Sequence, residues 1–493
     1  MIFGLDAGTS VVKAVAFADD GDVVAVASRP TRTINPAPGR AEQDIEQLIA
    51  AAASALRELA AAVDGPPDLL GVTGQGDGLW LLDERGYAVR PGILWSDARA
   101  AHIVDNWVRS GLAADVFRRT ANMTFPGAAA PLLAAIRQEE PNVLARAATA
   151  AYCKDVIVQR LTGHRATDVT DASLPFLDLR ARAYDPTLLQ LVGLTGLEPL
   201  LPPIDSVPGP LRPLSREGSV ITGLPQSTLV HAGPFDLCAT VIGAGVRRPG
   251  DGLVILGTTL GCSVLLDQLP GDTPPAGMTL CMPSPDRWVR VMPAMVGTPS
   301  LEWVLSLVGA PLDDLDDLLL STAPGAGGVL ALPFLSAAGE RAPFVDPHAR
   351  GALLGLSLET TRARVVRAVC EGIAYAARHC LDQAGLGPDA EVFICGGGSR
   401  SLAWRQILAD ILGRPLQLAR QPEVGARGAA MAALTAAGRT FDDQQWTHSD
   451  GIVQPNPDNR HLYDRGFAVY LDRVAASQGH WSGPALDPDP RAP

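Results

Sequence analysis

Lysine is almost missing from this chain: of 40 basic side chains only Lys13 and Lys154 are lysines, the rest being arginine. Basic residues are themselves outnumbered by 53 acidic ones, leaving a formal net charge of -13. That balance, with no basic run along a helix face, excludes the electrostatic footprint of a nucleic-acid binder. No stretch approaches the ~20 consecutive apolar residues of a membrane-spanning helix. The chain opens on a strand and not on a basic-then-apolar leader, so the expected location is cytoplasmic. The seven cysteines, Cys153, Cys238, Cys262, Cys281, Cys370, Cys380 and Cys395, include no C-x-x-C pair. They read as reduced core thiols, which argues against a zinc site or a disulfide framework. With 493 residues, the chain exceeds what one hydrophobic core usually serves and predicts two large domains.

The stretch that is present and informative is the first. Apolar Ile2 to Leu5 and β-branched Val11 to Phe17 predict two strands flanking Asp6-Ala7-Gly8-Thr9-Ser10, with a third strand at Val23 to Ala27. Gly8 lets a ligand approach the backbone closely, and Thr9, Ser10 and the turn amides can donate to phosphate oxygens. Asp6 at the strand end suits a hydrated Mg²⁺, while Lys13 supplies a compact charge near phosphate. Taken alone, the same residues also make an ordinary hairpin with a polar turn.

Further along, Asp44 to Val63 carries helical spacing behind a capping-box pattern at Asp44 and Gln47. Leu69 to Thr73 reads as a buried strand ending in Gly74-Gln75-Gly76-Asp77-Gly78, a glycine-rich pocket wall, with a further strand at Leu79 to Leu82. Trp80, Trp95, Asp97 and Arg99 follow; an aromatic with a carboxylate suits sugar hydroxyls, although tryptophan is more often core. Ala98 to Val108 and Tyr152 to Leu161 read as helices, Lys154 as a charge on a helix surface, and proline-rich Leu200 to Pro213 as an extended surface excursion.

Leu253 to Leu266 repeats the opening design, with apolar Leu253 to Leu256, the turn Gly257-Thr258-Thr259-Leu260-Gly261 and a returning strand. The echo predicts a duplicated domain with one phosphate-gripping turn per half and a boundary near Gly243 to Gly252. Thr361 to Leu381 is a strong helix. Glu391 to Cys395 is a strand entering Gly396-Gly397-Gly398-Ser399, followed by a helix from Ser401 to about Leu412, a place suited to a nucleotide. Gln478 to Pro493 is predicted to fray.

In this order the stretches resemble the FGGY carbohydrate kinases, a branch of the actin-like ATPase superfamily, from Met1 to about Val474. The segment Gly339-Glu340-Arg341-Ala342-Pro343, with Asp346-Pro347 and Arg350-Gly351 behind it, resembles that family's signature. Gly233-Pro234-Phe235-Asp236 resembles its catalytic segment. The resemblance implies an α/β fold of two actin-like (ribonuclease H-like) domains with a cleft between them. Residues 1–242 would form the N-terminal domain with the sugar and phosphate site, 243–474 the C-terminal nucleotide domain and 475–493 a flexible tail.

It implies ATP and Mg²⁺ as cofactors and a small-molecule sugar or polyol as partner, with a homodimer as the family-level expectation. Asp236 would be the catalytic base and Asp6 the metal residue. Gly8, Thr9, Ser10, Lys13, Gly257, Thr258, Thr259, Gly396, Gly397, Gly398 and Ser401 would bind the nucleotide and its phosphates, and Gln75, Gly76, Asp77, Trp95, Asp97 and Phe235 the acceptor. Gln75-Gly76-Asp77-Gly78 looks closer to the L-xylulose kinases and also resembles the erythritol kinases. The expected acceptor is therefore a pentulose, L-xylulose-like first, with a short polyol as the alternative. A non-transferring ATPase of the superfamily and a sugar sensor are the competing readings. The residues past the second half are too few and polar for a peptide-binding domain, and the candidate base and both turns are present.

Overall fold

The computed structural model describes residues 1–271, 273–336, 338–420 and 423–481. Two compact units emerge: Met1–Arg247 with Leu266–Val289 and Arg420–His448, and Arg248–Leu265 with Arg290–Ala419 and the chain from Ser449 onward. Where the sequence suggested one boundary near Gly243 to Gly252, the chain passes back into the first unit twice more. No helix among the described residues is long and apolar enough to cross a membrane.

The first unit is built on β1 (Ile2–Ala7), β2 (Val11–Phe17), β3 (Val23–Pro30), β4 (Leu69–Gly74), β5 (Leu211–Pro213) and β6 (Leu229–Ala232), in the order β5-β6-β4-β1-β2-β3. β1 pairs antiparallel with β2 and parallel with β4, so the Asp6–Ser10 turn sits at the same end of the sheet as the loop after Gly74. The Leu200–Pro213 excursion ends as edge strand β5. Helix Ile45–Ala61 covers one face with Ile45, Leu48, Ile49, Leu56 and Leu59, and the Asp44 side chain caps it by accepting from the Glu46 and Gln47 amides. The segment expected as a strand at Leu79 to Leu82 is strand Trp80–Leu82, which pairs with Thr149–Ala151 outside the main sheet.

The opposite face is closed by helix Val424–Ala436, which returns from late in the chain. Glycines bring it unusually near. A Cβ added at Gly4 would lie 2.3 Å from Ala426 O, one at Gly71 2.1 Å from Ala429 O, and one at Gly428 1.8 Å from Ala239 O. The last contact presses this helix, backbone on backbone, against helix Asp236–Gly243. Dispersion between closely packed backbones replaces the large side chains that another design would use.

The second unit repeats the plan. β7 (Gly252–Leu256) pairs antiparallel with β8 (Leu260–Leu266), β9 (Trp288–Ala294) lies beyond β8, and β7 pairs parallel with β10 (Val392–Cys395). β11 (Leu416–Leu418) and β12 (Ile452–Val453) complete it. Helix Arg362–Ala384, capped by Thr361 and ended by Gly385 at φ +91°, buries Val366, Val369, Ile373, Ala377 and Cys380. Helix Arg460–Trp481 docks on it: Tyr463 donates to Glu371 at 2.9 Å and accepts from Arg367 at 2.9 Å. The fraying expected from Gln478 is therefore overturned as far as Trp481, whose ring packs against Phe334 and Phe344 and so holds the last turn. The remainder of the predicted tail, 482–493, lies outside the described residues.

Candidate active site

In the first unit the turn after β1 is organised by charge. Asp6 faces Lys13 across the ladder, and the Lys13 ammonium lies 2.9 Å from Glu423, at the start of helix Val424–Ala436. Burial, with Glu423 adding to it and Lys13 opposing, pushes the Asp6 carboxyl up to about 6. A Cβ on Gly425 would lie 2.7 Å from Asp6 Oδ2, so a bare helix N-terminus abuts this carboxylate. Glu423 holds φ +70°, a left-handed conformation uncommon for a side-chain-bearing residue. It carried no signal in the sequence, since 410 positions separate it from Lys13.

Thr9 joins the turn to the loop after β4. Its hydroxyl donates to Gln75 Oε1 at 2.7 Å and accepts from the Trp95 indole at 3.2 Å. Gln75 in turn donates to Gln43 at 3.0 Å, and Gln43 reaches back to the Thr9 carbonyl at 3.3 Å. Gly8 closes the turn by donating to the Val11 carbonyl at 3.1 Å, and Ser10 stands exposed at its tip. Gln43 is a site-wall residue that sequence reasoning missed, because it lies in a two-residue strand with no motif around it.

The loop itself is tightly held. A Cβ on Gly76 would fall 1.9 Å from the Phe235 ring, so this residue lets the loop close on the candidate catalytic segment. Asp77, at φ +53°, is buried beside an apolar cavity that includes Thr120, Asn122, Met123 and Phe176.

Asp97 differs from expectation, whereas Trp80 takes the core role that is commoner for tryptophan. Both Asp97 oxygens are engaged by Arg99 (2.8 and 2.9 Å) and by the Ala41 and Arg99 amides, and although burial works against ionisation these partners hold the carboxyl below its usual range. This side chain braces the loop; the predicted acceptor contact has no unsatisfied oxygen to use. Trp80 is fully enclosed core, with Gly92 against its ring.

Asp236 is the first residue of helix Asp236–Gly243, inside the helix and not its cap, which is Phe235. Its surroundings push the carboxyl well above the usual range: burial first, then the charges of Asp6 and Asp171, with the Leu237 amide opposing and Asp77 adding to the rise. Some of its surface stays open to solvent. A carboxylate in such a field takes up a proton avidly, which is what accepting one from an attacking hydroxyl requires. Lys154, expected on a helix surface, is instead completely buried among Asp155, Asp168 and Asp171, because its helix turns that face toward the sheet and an ammonium there needs carboxylates around it.

In the second unit, Gly257-Thr258-Thr259 joins β7 to β8, and Gly396 follows β10, the parallel neighbour of β7. The two loops therefore emerge side by side. A Cβ on Gly396, at φ +96°, would lie 2.6 Å from the Leu256 carbonyl, and one on Gly398 2.6 Å from the Leu256 side chain, whereas Gly397 faces open space. The Thr258 side chain is exposed, and Thr298 donates to Gly257 O at 2.8 Å. Gly297, which sequence reasoning passed over, presses on this turn: a Cβ there would sit 2.4 Å from Thr258 O. Ser401 has a different task, since its hydroxyl accepts from the Trp404 amide and donates to Asp316, capping helix Leu402–Leu412. Behind the turn, Glu340 Oε1 accepts from the Met295 amide at 2.6 Å and the Arg341 amide at 2.9 Å, while Oε2 is buried with no hydrogen-bond partner among the described residues.

Two sheets of one plan, each with a glycine-threonine turn at the same strand junction, define a two-domain kinase fold. Residues 1–243 match the N-terminal domain and 252–437 the C-terminal domain of the FGGY family of carbohydrate kinases, and the chain belongs to that family. It is a carbohydrate kinase, a phosphotransferase acting on an alcohol group of a sugar or polyol with ATP. Among its relatives, erythritol kinase of Brucella abortus (strain 2308) is 32% identical, with 98% of this chain and 97% of the relative covered. Xylulose kinase of Klebsiella pneumoniae is also 32% identical, over 93% of each. The crystal structure of xylulose kinase from Rhodospirillum rubrum superposes with a TM-score of 0.89 at 30% identity, covering 97% of this chain and 99% of that one.

Proposed function

We propose that this kinase transfers the γ-phosphoryl group of ATP to a terminal hydroxyl of a short open-chain polyol or pentulose, with Asp236 as the base. The observation that carries the reading is the closure of Gly76 onto the Phe235 ring, with buried Asp77 beside it. The loop is thereby held close against the segment that bears Asp236, with a carboxylate near enough to bear on it, which suits a short polyhydroxy acceptor. A four-carbon polyol fits that description at least as well as the L-xylulose-like acceptor expected from the sequence, and the erythritol kinase similarity supports it.

Asp236 orients the attacking hydroxyl and accepts its proton. Gly8, Thr9, Ser10 and Lys13 serve the terminal phosphates, while Gly257, Thr258, Thr259 and the Gly396–Gly398 backbone serve the nucleotide. Asp6, whose carboxyl is crowded by the Glu423 charge, suits a Mg²⁺ that is held by one carboxylate together with phosphates and water. Bound there, the ion would neutralise charge on the phosphates. Dependence on ATP makes a cytoplasmic location the natural one, and the homodimer expected for the family is measured by sedimentation velocity.

The test is ATP consumption with a panel of tetritols, pentitols, ketopentoses, hexuloses and glycerol. Asp236→Asn should lower turnover with the best acceptor by roughly two orders of magnitude or more while ATP still binds. Activity confined to glycerol or a hexulose would refute the acceptor class.

A further inference from the structure

One buried group has no part in the reading above. Lys154 is fully enclosed, with its ammonium 2.6 Å from Asp155, 2.8 Å from Asp171 and 3.2 Å from Asp168. Desolvating such a set of charges is costly, and apolar side chains of similar size would stabilise the fold as well or better.

What the cluster holds is the catalytic segment. The Thr170 hydroxyl donates its single proton to the Asp168 carboxylate, 2.9 Å from each oxygen. Its oxygen is thereby left to accept, and it takes the Phe235 amide at 2.7 Å, one residue before Asp236. From the other side, Thr73 on β4 donates to the Pro234 carbonyl at 2.6 Å. The Pro234–Phe235 unit is thus clamped by a donor and an acceptor. The Lys154 ammonium anchors the carboxylate that takes the Thr170 proton, and it also pairs with Asp171, one of the charges that bear on Asp236.

We propose that Lys154, Asp168 and Thr170 are positioning residues for phosphoryl transfer, fixing the Phe235–Asp236 backbone so that the Asp236 carboxyl meets the acceptor hydroxyl. The proposal rests on Asp236 being the base.

Thr170→Val keeps the shape and removes the acceptor, while Thr170→Ser keeps the hydroxyl. Thr170→Val should lower kcat by roughly 10- to 100-fold with KM for ATP and acceptor within about twofold, and Thr170→Ser should restore kcat to within about threefold. In an Asp236→Asn background, Thr170→Val should cause no further loss, because its effect passes through that carboxylate. Lys154→Met, where it folds, should behave as Thr170→Val does; where it does not fold, the Thr170 pair decides. A kcat for Thr170→Val within about twofold of the parent, a loss that multiplies with that of Asp236→Asn, or failure of serine to rescue would each overturn the proposal. Full turnover in Asp236→Asn would remove the base assignment itself, and that outcome is distinct from an inert Thr170→Val in an enzyme that does need Asp236.

Discussion

Asp77 and Asp97 are both buried, yet their surroundings give them opposite tasks. Asp97 is saturated by Arg99 and two amides, so Asp97→Asn should chiefly lower thermal stability, with the ranking of acceptors unchanged. Asp77 contributes to the field on Asp236, and Asp77→Ala should reorder acceptor preference in the ATP-consumption panel. A third carboxyl, Glu340, is pushed up to about 7 from 4.5 by burial, with the Met295, Arg341 and Ala342 amides and the Arg341 charge opposing. Its folded form holds a proton that the unfolded chain releases, so its stabilising effect is full below about pH 4.5 and fades as pH rises through about 7. The span corresponds to on the order of 3 kcal/mol. Urea midpoints at pH 5 and pH 8 should differ less in Glu340→Gln than in the parent, and equal differences would contradict the assignment.

At the level of elements, the contact between helices Asp236–Gly243 and Val424–Ala436 sets the place of the base. Alanine normally favours a helix over glycine by about 1 kcal/mol. At Gly428 the added methyl would lie 1.8 Å from Ala239 O, a backbone atom that cannot swing away. The clash wins: Gly428→Ala should destabilise by roughly 1 to 3 kcal/mol, read from the urea midpoint, and should lower turnover as Asp236 shifts with its helix.

Such elements explain what the sequence made legible. The strand-turn-strand units at Asp6–Ser10 and Gly257–Thr259 were readable because a local alternation meets a local turn signal. Gln43, Glu423 and Thr170 were not, because each reaches the site only through pairing across the sheet or a helix end supplied from far along the chain. Lys154 misled for a related reason: a charge in a helical pattern reads as solvated until the carboxylates around it are known.

At the scale of the whole molecule, the first unit is assembled from three pieces of chain, and the last of them, Arg420–His448, supplies the helix that covers Gly4 and Gly71. That arrangement bears on the order of events at the ribosome. Synthesis runs at about 5 to 20 residues per second, so the sheet face that opens the chain waits on the order of half a minute for its cover. During that time the nascent sheet is an apolar surface in search of a partner, and chains cut short before Val424 carry it permanently. A fragment of residues 1–247 should therefore bind a hydrophobic dye and aggregate, and a separately supplied peptide spanning 420–448 should suppress both. A soluble, dye-silent fragment would show that the face closes without it. Quality control of this enzyme thus depends on the late translation of residues 420–448, and a nonsense mutation ahead of them should be as damaging to the base-bearing half as one placed within it.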